Sequence, residues 1–224
     1  MQENLRLASS ILTAALRNTR YGVPAGNPSS WINWVSGFTT NPNWTNGGGG
    51  SPDTISVAAC FEKPVGRLSV APLVNTDTTL QVTPSGVLTD ALDTGAKSFI
   101  RIGESEFARV TSVGSNAIMI DTDLVTAGNQ PVREAHAGGA DGAEICRVDV
   151  ITFSVDTATS RLMRNQNQGG VAQPVAEGIS DLQITPTPPK QYTIALTAIP
   201  EKGRDPVTGY LTTRTLTTNV LMRN

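Results

Sequence analysis

The sequence is poor in charge, in aromatic residues and in the side chains that carry most enzyme chemistry. Charged residues make up 16% of its 224 positions, aromatic residues make up 5%, and there is one histidine. The formal net charge of −2 provides no concentrated basic surface, so we expect no nucleic-acid partner. No apolar run approaches the roughly 18 to 20 residues that cross a bilayer, and no export signal is visible, so the chain as given is expected to be soluble.

The scarcity of histidine and cysteine bears directly on catalysis and metal binding. A nucleophile–histidine pair could use only His136, which lies in the Gly-rich segment 135–139 without a neighbouring nucleophile motif. Two cysteines and one histidine supply too few ligands for a zinc site. Asp121-Thr122-Asp123 lacks the rest of a calcium loop and is interpreted as a solvated turn. We therefore expect no enzymatic activity, no metal and no cofactor.

The two cysteines are Cys60 and Cys146, each beside an apolar run with the character of a β-strand. If these runs pair, a disulfide is geometrically feasible, and an oxidising compartment would favour it. Two buried free thiols are the alternative. The sequence leaves both open.

The first twenty residues have the periodicity of an α-helix. At about 100° per residue, the apolar side chains cover more than half of the circumference, whereas a helix on a single sheet needs an apolar stripe about a third of the way round. The surplus predicts either a second contact, with a neighbouring subunit, or a helix sunk deep in its own core. The pattern begins without a lead-in segment, so we expect the native sequence to continue upstream of Met1. The predicted subunit-interface positions are Leu5, Leu7, Ala8, Ile11, Leu12 and Ala15.

Residues 22–52 are rich in Gly, Pro, Asn and Ser and end in four consecutive glycines, which predicts a long loop. All three tryptophans, Trp31, Trp34 and Trp44, lie in it. Such large side chains either fold the loop onto the body of the protein or form a surface that binds a sugar or a protein. The sequence leaves both interpretations open.

From residue 53 onward the hydrophobic period changes to that of β-strands. Strand-like runs alternate with turn residues such as Gly114-Ser115-Asn116, and Pro186, with two more prolines after it, predicts a break between two strands. The predicted strands comprise residues 54–61, 67–71, 79–82, 98–102, 108–113, 117–121, 143–155, 161–164, 178–185, 191–199 and 214–222. The expected fold class is α+β and mostly β, with an N-terminal amphipathic helix packed on an antiparallel sheet that has additional strands. We expect a single domain over 1–224, with the helix at 1–21, the loop at 22–52 and the β-rich body at 53–224.

Four segments resemble PilW-type minor pilins, and they follow each other in the order of that family. The first runs from Gln2-Glu3-Asn4 to Tyr21-Gly22, and the second is the hairpin at 106–120 that contains Glu106. The third is a series of strands at 148–184, which includes Ala176-Glu177-Gly178 and Asp181-Leu182-Gln183, and the last is the closing strand at 215–224. Together they cover about half of the chain.

The resemblance implies a pilin-like fold and a structural role in priming type IV pilus assembly and at the pilus tip. Other minor pilins and the major pilin would be its partners, and a hydrophobic helix upstream would provide the only membrane contact. The subunit would lie in the inner membrane and periplasm before assembly and in the extracellular pilus afterwards. Two alternatives remain open: a tip adhesin that binds a carbohydrate or a surface through the three tryptophans, and a pseudopilin of type II secretion.

Overall fold

The computed structural model describes residues 2–19, 42–61, 64–83, 98–104, 106–123, 126–166, 171–187, 191–199 and 213–222. Within these ranges the chain forms one α-helix and thirteen β-strands, and every pairing with a defined register is antiparallel. The protein is therefore mostly β. The elements are α1 (Gln2–Asn18), β1 (Asn43–Thr45), β2 (Thr54–Ala59), β3 (Gly66–Leu68), β4 (Thr79–Thr83), β5 (Phe99–Ile102), β6 (Glu106–Val113), β7 (Ala117–Asp121), β8 (Glu144–Asp156), β9 (Arg161–Gln166), β10 (Gln173–Glu177), β11 (Ile179–Thr187), β12 (Gln191–Ala198) and β13 (Arg214–Leu221).

Two of these strands, β1 and β10, were not expected from the sequence. β1 lies in the part of 22–52 that was predicted to be loop, and it pairs with β2. β11 runs through Pro186, which stands opposite Tyr192, and ends at Thr187, while β12 begins at Gln191. The two strands are therefore separate as predicted, but Pro186 itself belongs to β11 and not to the break. A proline is tolerated there because β11 is the outer strand of its three-stranded sheet, where an N–H group on the open side has no ladder partner.

The chain divides into two compact units, each discontinuous in sequence. The first, which we call the helix unit, comprises Met1–Thr19, Asn41–Val57 and Val150–Asn224. The second, the ring unit, comprises Arg20–Thr40 and Ala58–Asp149. The divisions after Val57 and Asp149 fall inside β2 and β8, so no linker composition marks them. The composition of the sequence therefore gives no sign of the two units.

Six strands of the ring unit pair in a closed circle. Their order is β8-β3-β4-β7-β6-β5, and β5 pairs in turn with the first residues of β8. Because the circle is closed, each strand has a pairing partner on both sides. Every second side chain of a strand points to the interior, and together these side chains form one core. The buried interior residues are Leu68, Leu80, Val82, Ile100, Ile102, Ala108, Val110, Ile118, Ile120, Val132 and Ile145.

In the helix unit, α1 lies on the antiparallel sheet β11-β12-β13 and also contacts β10. Successive side chains of this sheet alternate between buried and exposed, as expected of a sheet with one face on the core and the other in solvent. Ile194 and Leu196 are buried on the helix side, while Thr215 and Thr217 on the opposite side are exposed. The same unit contains β1, the first part of β2, the end of β8, β9 and β10, which pair in that order. An amphipathic helix on an antiparallel sheet is the arrangement that the periodicity predicted.

Candidate functional site

The buried side of α1 uses four of the six predicted interface positions. Leu5, Ala8, Leu12 and Ala15 are buried, and Ser9 Oγ lies 2.8 Å from Thr218 Oγ1 of β13. Burying one such leucine stabilises the fold by about 1.5 to 3 kcal/mol. These four positions are therefore occupied within the chain and are not available to a partner.

The outer side of α1 carries a second apolar row. Leu7 is 47% exposed, Ile11 is half-buried and Ala14 is exposed. Positions 7, 11 and 14 lie within about 60° of each other on a helix, so the three side chains form one stripe, which we call the Leu7 stripe. The apolar surplus in the sequence thus divides between the core and the surface. Leu7 and Ile11 are the two predicted interface positions that the chain does not bury.

Trp44 is held by a buried carboxylate. It lies in β1 opposite Ile55, and its indole Nε1 donates to Asp53 Oδ2 at 3.1 Å. The same oxygen accepts from the backbone N of Ile184 at 2.7 Å, and Oδ1 accepts from that of Gly47 at 2.9 Å. Asp53 therefore fastens the end of the predicted loop to β11. In the sequence it follows four glycines, a serine and a proline and indicates only a turn, so its burial carried no local signal.

Of the three tryptophans that were proposed to bind a ligand, the structure places only Trp44. Its one polar atom is engaged inside the chain, which agrees with the packing interpretation for this residue. Trp31 and Trp34 lie outside the described residues.

Cys60 and Cys146 form a disulfide within the ring unit, with Cα atoms 5.9 Å apart. Both side chains are buried. The bond links positions separated by 86 residues, and a loop of that length corresponds to about 4 to 5 kcal/mol of lost unfolded-state freedom in the chain-entropy account. Of the two outcomes that the sequence left open, the structure has the bridge.

Glu106 and His136 form a buried polar pair at one end of the ring. Glu106 begins β6 opposite Ile102 and points to the interior, and His136 Nε2 lies 2.5 Å from Glu106 Oε2. Each side chain is 5% exposed. Gly103, with φ +59°, leaves room for the imidazole of His136, because a Cβ at position 103 would stand 3.3 Å from His136 Nδ1. The other carboxylate oxygen accepts from the backbone N of Arg133 at 2.6 Å.

These contacts give the pair a structural task. Both oxygens of Glu106 are used, and they hold the segment that carries Arg133 and His136 against the ring. The segment around His136 has no helix or strand, and these two contacts anchor it. The two residues are 30 positions apart, so only the fold shows that they meet.

Asp121 was expected to lie in a solvated turn, but the structure buries it. The register of β6 and β7 places it directly opposite Arg109, whose Nη2 donates to Oδ2 at 2.8 Å. Its Oδ1 accepts from the backbone N of Asp123 at 3.1 Å and of Gln130 at 3.2 Å. The carboxylate is thus a satisfied, ion-paired part of the ring.

Neither a metal cluster nor a membrane-spanning helix occurs in the part of the chain that the structure describes. There, no three His, Cys, Asp or Glu side chains are grouped so that they could hold a metal ion. No described helix is long and apolar enough to span a bilayer. Comparisons with protein families, curated proteins and solved structures returned no match to this chain. What the protein does must therefore be inferred from its own surfaces.

Proposed function

We propose that the protein is a structural subunit of a type IV pilus, a minor pilin of the PilW type, and not an enzyme. It primes assembly in the inner membrane, faces the periplasm and then occupies the tip of the extracellular pilus. The observation that carries the proposal is the Leu7 stripe, which lies on a helix whose other side is buried against an antiparallel sheet. The resemblance of residues 2–22, 106–120, 148–184 and 215–224 to PilW-type minor pilins supplies the pilus setting.

The stripe is suited to templated packing between subunits. Leu7 stands 47% exposed on a regular helix whose inner side is fixed by Leu5, Leu12 and the other buried positions, so a partner meets a preformed surface. Each Å² of apolar area that a partner covers contributes about 25 cal/mol. Other minor pilins and the major pilin are the partners proposed for this surface.

The adhesin alternative gains no support from Trp44. Its indole nitrogen, which would orient a sugar hydroxyl, already donates to Asp53 at 3.1 Å.

The proposal is tested by replacing one residue of the stripe in the source bacterium. Deleting the gene is expected to abolish surface pili, and the wild-type gene is expected to restore them. Leu7→Asp should fold, because Leu7 is half in water, but it should neither restore pili nor co-purify with the other minor pilins. Electron microscopy and pull-down from the membrane fraction are the measurements.

Leu221→Asp is the matched control. Leu221 is 69% exposed on β13 and lies outside the stripe, so this variant should restore pili to wild-type numbers. Normal piliation and co-purification of the Leu7→Asp variant would reject the proposed function. Leu12→Asp serves as the reference for misfolding, since a charge at this fully buried position should abolish the fold itself.

A further inference from the structure

The ring unit has an exposed apolar surface of its own, on the segment that joins β3 to β4. Val70 is 61% exposed, Leu73 is 64% exposed and Val74 is 37% exposed. Among the described residues only seven large hydrophobic side chains are exposed to this degree, and three of them fall within these five consecutive positions. Single exposed apolar residues are ordinary, but three within five consecutive positions are typical of a contact surface. We call Val70, Leu73 and Val74 the Leu73 patch.

The backbone beneath the patch is fixed. The backbone N of Leu73 donates to Asp77 Oδ2 at 2.8 Å, and that of Asn75 donates to Val132 O at 2.7 Å. Gly138 lies so close to Val70 and Ala71 that a Cβ at position 138 would stand 2.1 Å from Ala71 N. Because these contacts order the segment before any partner arrives, a partner would not have to supply the free energy of ordering it.

The charges beside the Leu73 patch and beside the Leu7 stripe are of opposite sign. Arg6 and Arg17 are exposed on the outer side of α1, and with Glu3 in the first turn they leave this side with one net positive charge. Asp141 is exposed in the 3-10 turn Gly139–Asp141, which is bonded to the start of the patch segment through Gly139 N and Ser69 O at 3.1 Å, and Asp77 lies in the segment itself. The nearby cation Arg133, which follows Val132, is paired with Asp123 at 3.1 Å, so the net charge beside the patch is negative. Opposite charges around two apolar surfaces orient their encounter.

We propose that the Leu73 patch of one copy receives the Leu7 stripe of a second copy of this chain. The inference rests on the proposed function and adds a second copy of this chain to the pilins that the stripe contacts in the filament. The contact joins two different surfaces, so each copy can use its stripe toward one neighbour and its patch toward another. Such a head-to-tail contact extends into a ring or a row of subunits, whereas a contact between identical surfaces closes at a dimer.

The test uses two variants that each lose one surface. Wild-type protein in sedimentation equilibrium, at roughly 0.01 to 1 mM because a contact this small is weak, is expected to associate beyond the dimer. Leu7→Asp alone and Leu73→Asp alone should each bind about 30-fold more weakly or worse, the effect of losing one dominant contact residue. Mixed in equal amounts, the two variants should form a heterodimer and stop there, because one intact stripe meets one intact patch.

The association experiment has one control variant in each unit. Met119, which is 40% exposed in the ring unit, and Leu221 in the helix unit lie outside the two surfaces, so Met119→Asp and Leu221→Asp should associate like the wild type. Circular dichroism checks that each variant is folded, and Val70→Asp replaces Leu73→Asp if the latter is not. The inference is overturned if the wild type stays monomeric, if Leu73→Asp associates normally, or if the mixture remains monomeric. Association that depends on Leu7 but not on Leu73 would mean that two stripes pair with each other, which also rejects it.

The pilus assay separates this inference from the proposed function. Loss of pili with Leu7→Asp but normal pili with Leu73→Asp would retain the filament role and reject the patch as the receiving surface. Heterodimer formation in solution together with normal pili from both variants would retain the contact and reject the filament role.

Discussion

The ring unit and the helix unit differ in whether their β-sheets have open edges. In the ring unit, six strands pair in a circle around a filled interior, and a disulfide ties Cys60 to Cys146. In the helix unit, the sheet β11-β12-β13 stays open, and β13 pairs with β12 alone among the described strands. The exposed apolar side chains also differ in setting, since Leu7 lies on a regular helix and Leu73 lies on a connecting segment. A closed sheet can satisfy its own backbone, whereas an open sheet under a half-covered helix leaves surface for a neighbour.

The largest effect that would test this comparison is loss of the disulfide. Replacing both Cys60 and Cys146 with serine should lower the free energy of unfolding of the ring unit by about 3 to 5 kcal/mol, because the unfolded chain regains the freedom of a long loop. Hydrogen exchange should accelerate in β3 to β7 and change less in α1. Reduced wild-type protein is the matched control. Equal loss of protection in both units would show that they unfold as one, and the comparison would no longer hold.

A smaller effect is expected from the buried side of α1. Leu12 has no exposed area, so Leu12→Ala should cost about 2 to 4 kcal/mol through lost burial and a cavity in the helix unit. Leu7→Ala, on the same helix but 47% exposed, should cost about 0.5 kcal/mol or less. Urea unfolding of the two variants measures the difference. Equal costs would mean that the stripe contributes to the fold as much as the buried side does.

Asp53 offers a test within the helix unit that does not involve α1. Asp53→Asn keeps the shape but turns one acceptor oxygen into a donor. Either the bond from Gly47 or the two bonds from Trp44 and Ile184 are then lost, at a cost of about 1 to 3 kcal/mol. Faster exchange at the Gly47 or Ile184 amide reports the change. Asp181→Asn, on a part-exposed aspartate of β11, is the control and should alter stability by about 0.5 kcal/mol at most. Unchanged exchange at both amides would contradict the role of Asp53.

The smallest effect concerns the exposed turn between β8 and β9. A hydrogen bond from the Thr159 hydroxyl holds the pKa of Asp156 below its usual value, desolvation opposes this, and the backbone N–H groups of Ala158 and Thr159 and the charge of Arg161 add to the lowering. Because the folded pKa is lowered, the stabilisation is present above about pH 3.9 and disappears as the pH falls through the folded pKa. Thr159→Val should raise the pKa toward its usual value in an NMR titration, with little change in stability. A titration midpoint that does not rise would contradict this account.

Local patterns predicted most strands because strand alternation and turn chemistry are properties of neighbouring residues. β7 has the predicted bounds Ala117–Asp121, and Gly114 N donates to Ala117 O at 2.8 Å in the turn that Gly114-Ser115-Asn116 indicated. β1 escaped prediction because it is three residues long and set among Gly, Pro and Asn. β10 escaped because Pro174 interrupts its short alternation. Of the candidate interface, the periodicity located the helix and its surplus of apolar positions, but not which of them would stay exposed.

The sequence by itself determined that α1 is an amphipathic helix, where most strands lie and where the main turns fall, since each depends on residues a few positions apart. Only the tertiary structure decided that six strands close into a circle, that Leu7 is exposed while Leu12 is buried, and that Glu106 meets His136. It also decided that Asp121 faces Arg109 and that the two cysteines are joined. These outcomes depend on strand register and on pairings between distant segments, and both are set by how the whole chain buries its apolar surface rather than by any local pattern.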